Sequence, residues 1–325
     1  MTLKKNKLLI IRFSSIGDIV QAMSVIPTLS DYEIHWATKT EFSNLVSLSL
    51  EVKKVWKISN RKGIIGLISL AIKLRKEEFD IIYDAHSSLR SHILKILMFR
   101  FNTKVILRKK ERLKRFLLFK FNKNYLPNPY RGMKSFLAPL KKNKIIPNKR
   151  KILCNLNLKS ERIDSIIKYD NFIALAPSAA WEMKRWPEEK WIELVDKMPN
   201  NKFIVLVGPN DYFCQNLENL FPDRVQNFAG SSSLVESFYL ISKSKFIVSG
   251  DTGMIHMADL LNKNGVLLLG PTAFGYTTGD SIQIIELDLS CRPCTKDGRG
   301  KCYNELYKRC MQDISVEKVL EKINL

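Results

Sequence analysis

The stretch that most constrains this chain is Phe246–Leu261, FIVSGDTGMIHMADLL. A short apolar, β-branched run (Phe246, Ile247, Val248) changes abruptly at Ser249-Gly250-Asp251-Thr252-Gly253 into apolar residues at helical spacing, Ile255, Ala258 and Leu261. That pattern predicts a strand, a tight turn and a helix. The turn gathers a carboxylate (Asp251), a hydroxyl (Thr252), a backbone without a side chain (Gly253) and, one turn on, an imidazole (His256) around the helix start. Unpaired N–H groups and the positive end of the helix dipole favour an anion there, most naturally a phosphate. An ordinary capped helix is the plainer alternative.

The same alternation runs through the chain. A continuous apolar strand at Leu8–Phe13 leads into Ser14-Ser15-Ile16-Gly17-Asp18 and an amphipathic helix that Pro27 should kink or end. Further strands are expected at Glu33–Ala37, Lys53–Ile58, Asp80–Asp84 and Lys104–Leu107, with helices of ten or more residues among them, such as Gly63–Lys76 and Leu89–Phe101. Prolines at 127, 129, 139 and 147 then interrupt the pattern over Pro127–Leu158, which reads as a linker. A second series follows, from a strand at Phe172–Ala176 to one at Val266–Leu269. This is an α/β chain of two Rossmann-like βαβ domains, 1–150 and 151–325, the second ending in a Cys-rich tail. Two such domains would face each other across a cleft, with ligands beyond the carboxyl ends of the strands.

The 325 residues suffice for two cores, and 45% hydrophobic content without a long apolar run excludes a helical membrane span. The basic residues before the first strand resemble a signal peptide, but Arg12 ends the apolar run and no small-residue cleavage site follows, so a cytoplasmic protein is expected. Net charge is +21, and 32 of the 53 Lys and Arg lie in residues 1–150 beside only 10 of the 32 Asp and Glu. The excess therefore sits in one half, which should face something acidic: a membrane surface, a phosphorylated substrate or nucleic acid. Residues 90–123 are the most basic, with phenylalanines interleaved; a helix at Glu111–Phe121 could lie on an anionic membrane, or could simply carry a solvated lysine face. No RNP-like, KH-like or zinc-finger signature accompanies the charge, so nucleic acid is not the expected partner.

Candidate chemistry falls at strand ends. Asp18 follows the first strand directly, where it could be a general base or could cap its own helix, and Gly17 would admit a substrate close to the backbone. Lys184 and Arg185 precede a helix starting at Pro187 and could neutralise a diphosphate, or be an exposed pair beside a buried Trp186. His86–Arg90, Ser178–Trp186 and Gly208–Asp211 lie at further strand ends. Cys291, Cys294, Cys302 and Cys310 have the spacing of a structural Zn or Fe site or of free thiols.

Three segments together resemble glycosyltransferase family 9, the heptosyltransferases of lipopolysaccharide: KLLIIRFSSIGDIVQAMSVIPTL, APSAAWEMKRWPEEKWIEL and VSGDTGMIHMADLLNKNGVLLLGPT. FDIIYDAHSSLRSHIL is similar to a fourth family segment, with His86-Ser87 where members often carry Gln-Gly. The resemblance reaches from the first strand to about Cys310. It implies a GT-B fold, an N-terminal acceptor-binding domain, a C-terminal nucleotide-sugar domain, and inverting transfer from ADP-heptose that requires no metal cofactor. Asp18 would then deprotonate the acceptor, Lys184 would hold the diphosphate and Asp251 sugar hydroxyls, and Thr252, Gly253 and His256 would receive phosphates. Ser15, Gly17, Arg90, Ser178, Arg185 and Asp211 would complete the substrate contacts. The implied partners are an ADP-sugar and a phosphorylated, lipid A-linked acceptor, met peripherally at the inner face of the cytoplasmic membrane. Transfer to a protein or another glycan, or a non-catalytic anion-binding relic of the fold, is the alternative.

Overall fold

The computed structural model describes residues 5–59, 63–146, 154–206, 208 and 213–323. The chain divides into two compact units, Met1–Glu111 with Met133–Asn157, and Arg112–Gly132 with Leu158–Leu325. That division is not a single boundary at residue 150. The first unit runs on because the backbone returns to it: Leu156 bridges Ser49, and the Asn157 N–H donates to Leu48 at 2.8 Å.

The first unit comprises β1 (Asn6–Ile11), α1 (Ile16–Met23), β2 (Tyr32–Lys39), α2 (Ser43–Val46), β3 (Val52–Ile58), α3 (Gly63–Arg75), β4 (Ile81–Asp84), α4 (Leu89–Leu97) and β5 (Lys104–Leu107). Its strands form one sheet in the order β3-β2-β1-β4-β5, every neighbouring pair parallel. Leu8 to Ile11 are fully buried, as a central strand covered on both faces requires, and burial of each such side chain is worth ~1.5–3 kcal/mol. Leu67, Leu70 and Leu74 of α3 and Leu94 of α4 close one face over Leu9, Ile11 and Ile82. Of the kink or end expected at Pro27, the structure has the end: α1 stops at Met23, and Pro27 sits in a short 3-10 turn, Ile26–Leu29.

The second unit begins with α5 (Arg112–Phe121), which Leu118 and Leu126 fasten against Ala273 beside Phe119, Tyr130 and Phe274. The region read as a linker contains a helix, α6 (Gly132–Lys142), which from Met133 on belongs to the first unit and runs through Pro139; Phe136, Leu137 and Leu140 on its buried face outweigh the cost of the proline. Then come α7 (Glu161–Ile166), β6 (Ile173–Ala176), α8 (Glu188–Asp196), β7 (Phe203–Val205), α9 (Phe213–Leu220), β8 (Val225–Asn227), α10 (Leu234–Lys243), β9 (Phe246–Gly250), α11 (Gly253–Leu260), β10 (Gly265–Leu268), β11 (Ile282–Ile285), α12 (Arg309–Gln312) and α13 (Val316–Lys322). The sheet order is β11-β10-β9-β6-β7-β8, again parallel throughout. Both sheets therefore reverse direction beside their first strand, between β1 and β4 and between β6 and β9. Ligands of doubly wound sheets bind at such switch points.

Candidate functional site

At the first switch point, β1 delivers Arg12 and α1 delivers Asp18. The Arg12 guanidinium, 4% exposed, meets Asp18 Oδ2 at 2.5 Å and donates to the Ala85 carbonyl at 2.9 Å. The Ser15 hydroxyl donates to the same Oδ2 at 3.0 Å, and the Ser15 N–H reaches it at 3.5 Å, so Asp18 also caps its own helix. Among the described residues Oδ1 has no partner, and the carboxylate is about a third exposed, at 37%. Burial alone would raise this carboxyl, but Arg12, Arg108 and the Ser15 bonds outweigh it and hold it at about 2.

Arg108 is buried after β5, bonded through Nε and Nη2 to the Ser135 hydroxyl, with its guanidinium 3.9 Å from the Phe136 ring centre. Two buried guanidiniums thus act on one partly exposed carboxylate. His86 lies beside them, edge-on to Phe13 at 5.3 Å, and its Nδ1 has no hydrogen-bond partner among the described residues. Burial first, then Arg12 and Lys110, push its pKa down to about 4, so the ring is neutral at pH 7. Below it, Asp84 is fully buried, pairs with Lys95 at 2.6 Å and accepts the His86 and Ser87 N–H groups, which sets the turn into α4. Of the expected residues here, Ser15, Gly17 and Asp18 share the first turn of α1, while Arg90 is exposed in the first turn of α4.

At the second switch point the cluster is tighter. Lys184 Nζ donates to the Asp251 carbonyl at 2.6 Å and stands 3.4 Å from Asp251 Oδ2. The Thr272 hydroxyl donates to the same Oδ2 at 2.7 Å, and His256 Nε2 lies 3.7 Å from Oδ1. Burial works against the charged form of Asp251, but Lys184, His256 and Thr272 outweigh it and hold the carboxyl well below the usual range. Glycines make room for this packing. A Cβ on Gly275 would lie 2.5 Å from the Asp251 carboxyl carbon, and one on Gly298, which has φ +91°, would lie 2.7 Å from Lys184 Cγ.

Thr252 caps α11, accepting the Met254 N–H at 3.2 Å, and Gly253 opens the first turn, whose amides have no partner within the helix. Ser178, after β6, is buried, and its hydroxyl has no partner among the described residues. Arg185 turns aside to donate to the Ala179 carbonyl at 2.9 Å. Asp211 lies outside the described residues. Lys184, Asp251, Thr252, Gly253 and His256 are therefore brought together. A cation, a helix start and an unpartnered hydroxyl at one switch point are the parts of an anion site.

Among the described residues no three His, Cys, Asp or Glu side chains converge well enough to hold an ion. Cys310 is buried in the core of the second unit with Met311 and Ile314, whereas Cys291 and Cys294 are exposed. The tail has a different visible contact: its turn at Gly298 packs on the stem of Lys184, and Arg299 lies over Trp181 at 4.8 Å.

Sequence reasoning gave no site role to Arg12 or Arg108, and Thr272 appeared only within the GPT segment at a strand end. Arg12 carried a signal, as a charge closing an apolar strand; Arg108 was one cation in a basic run.

Two parallel α/β units with these switch-point sites make this a GT-B fold, the architecture of nucleotide-sugar transferases. Residues 67–304 match glycosyltransferase family 9 (heptosyltransferase), and the chain belongs to that family. The lipooligosaccharide heptosyltransferase 2 of Haemophilus influenzae is 26% identical over 180 residues, covering 51% of this chain and 50% of that protein. The chain thus spans about half the length of this curated relative. The structure of Escherichia coli ADP-heptose lps heptosyltransferase II superposes with a TM-score of 0.73 at 20% identity, over 98% of this chain and 97% of that one. A glycosyltransferase family 9 structure from Veillonella parvula gives 0.78 at 15% identity, over 99% and 97%.

Proposed function

We propose that this chain is an inverting glycosyltransferase that moves heptose from ADP-heptose to a lipid A-linked core oligosaccharide in lipopolysaccharide biosynthesis. The observation that carries the reading is the second-unit cluster, in which Lys184 and the start of α11 meet at Asp251 while the buried Ser178 hydroxyl stands unpartnered after the neighbouring strand β6. The diphosphate of the donor fits that chemistry. Lys184 and the α11 amides would take up the negative charge that grows on ADP as it leaves, an effect worth a few kcal/mol in comparable sites. Asp251 acts through Lys184, fixing its ammonium, and Thr272 and Gly275 fix Asp251 in turn.

In the transfer itself the acceptor hydroxyl oxygen attacks the anomeric carbon, the bond from that carbon to the diphosphate oxygen breaks, and the hydroxyl proton passes to Asp18 Oδ1. A carboxylate held at about 2 is a weak base while Arg12 grips it. An anionic group on the acceptor, competing for Arg12 and Arg108, would loosen that grip and raise the basicity of Asp18 when the acceptor is in place. The neutral His86 ring offers a hydrogen-bond acceptor beside it.

Peripheral association with an anionic membrane belongs to the same proposal. Among the described residues no helix is long and apolar enough to cross a bilayer. Ile64, Ile65, Ile68 and Ile72 of α3, and Leu89, Ile96, Phe99 and Phe101 in and after α4, are exposed in the strongly basic half of the chain, which supports a surface role.

Thermal-shift titration with ADP, UDP and GDP tests the donor site, because a ligand that binds only the native state stabilises it by about 2.7 kcal/mol at a hundred times its Kd. A shift with ADP and none with UDP or GDP is expected. No shift with any nucleotide, beside a shift with anionic lipid, would replace this reading with that of an anion-binding relic.

A further inference from the structure

The second unit holds a cavity of about 500 Å3 that none of these steps uses. It is the size of a small-molecule site, ~300–1,000 Å3. One wall is the segment after α5, with Asn122, Asn124 and Asn128; the other is the chain from Thr272 through Tyr276 to β11 and on to Arg292.

Part of the lining is rigid. Glu286 Oε2 accepts both the Tyr276 hydroxyl, at 2.7 Å, and Arg292 Nη2, at 2.8 Å, and Arg292 Nε is tied to the Gly270 carbonyl at 2.7 Å. Phe274 and Tyr130 meet edge to face at 5.0 Å and give the cavity an aromatic side. Another part is open to solvent: Asn122, Asn128 and Asp288 are exposed, and among the described residues their side chains have no hydrogen-bond partner.

This lining selects a ligand class. Among the lining side chains Arg292 offsets Glu286 and Asp288 adds a negative charge, which disfavours a phosphate or another anion there; Arg115, 4.3 Å from the Phe274 ring centre, is held against that ring. Amides and a carboxylate that converge without partners suit a ligand carrying many hydroxyl groups, and aromatic rings suit the C–H faces of a pyranose. We propose that this cavity is a carbohydrate subsite that takes one or two neutral sugar residues. Its position links it to the cluster described above, since Thr272 lines the cavity and donates its hydroxyl to Asp251. That the bound sugars belong to the glycan substrate rests on the transferase reading; that they are neutral sugars rests on the lining alone.

The test is saturation-transfer NMR on the full chain with maltose, cellobiose and mannobiose, with glucose 1-phosphate as the anionic control. At least one neutral disaccharide should give saturable signals that survive excess ADP, and glucose 1-phosphate should give none that do. The Asn128→Ala/Asp288→Ala double variant should weaken the disaccharide about tenfold, as expected for the loss of two hydrogen bonds. If that variant melts early, Asn128→Trp, which fills the cavity from its exposed rim, takes its place and should abolish the signals. Silence from all three disaccharides, signals unchanged in a folded variant, or loss of the signals on adding ADP would each overturn the subsite. The transferase reading fails separately, if ADP leaves the wild-type melt unmoved.

Discussion

Alanine at position 275 has no room for its methyl group. The added carbon would stand 2.5 Å from the Asp251 carboxyl carbon and 2.8 Å from both of its oxygens. The loop cannot retreat to relieve this. Thr278 and Gly279 donate their N–H groups to the Asp259 carboxylate at 2.7 and 2.8 Å, and Arg131 Nη1 donates to the Thr277 carbonyl at 2.7 Å. Asp251 must therefore turn its carboxylate away, breaking the Thr272 bond and the 3.4 Å ion pair with Lys184, which keeps only its bond to the Asp251 carbonyl. Overpacking costs ~1–3 kcal/mol and the lost hydrogen bond to a charged group ~1.5–3 kcal/mol, so Gly275→Ala should lose at least about 2 kcal/mol. Urea unfolding should show a lower midpoint at an unchanged slope, and the stabilisation by ADP should shrink in parallel. A variant that unfolds within about 0.5 kcal/mol of wild type and responds fully to ADP would refute the packing of this loop on the carboxylate.

Asp18→Asn should lower transfer by about 10²–10⁴-fold while the melt still rises with ADP, because the base is lost and the donor cluster is not. Its pH dependence follows from the sign of the shift. A carboxyl at about 2 when folded, against ~3.9 unfolded, stabilises above pH ~4 and loses that contribution as pH falls towards about 2; the acid-unfolding curves of variant and wild type should converge over that interval. Lys184→Met should abolish the ADP shift and also lower the melt without nucleotide, since it leaves Asp251 buried beside one cation fewer; an unchanged ADP shift would remove Lys184 from the diphosphate site. Ile65→Glu with Phe101→Glu should release the protein from vesicles containing anionic lipid, and sedimentation equal to wild type would sink the membrane surface.

Much of the fold could be read locally. β1 and β9 are continuous apolar runs that end at SSIGD and SGDTG, so strand, turn and helix are each announced within a dozen residues. The Lys184, Asp251 and His256 grouping followed from two such ends, which a parallel sheet places side by side at β6 and β9. What stayed hidden depends on distant contacts. The approach of Gly275 to Asp251 and of Gly298 to Lys184 leaves no trace in spacing. Arg108 gains its meaning from Ser135 and Phe136, on a helix that Pro139 disguised as a linker. β11 is an edge strand with a mixed burial pattern, so its period was not legible. The cysteine spacing left a metal site and free thiols open, and only the long-range packing shows Cys310 in the core.

The central claim is heptosyl transfer, and mass spectrometry of the acceptor measures it most directly. Incubated with ADP-heptose and a lipid A-linked core acceptor, the wild-type protein should add one heptose to the acceptor and release an equal amount of ADP, whereas Asp18→Asn and Lys184→Met should do neither. An unmodified acceptor, with ADP-heptose bound but intact, would contradict the account.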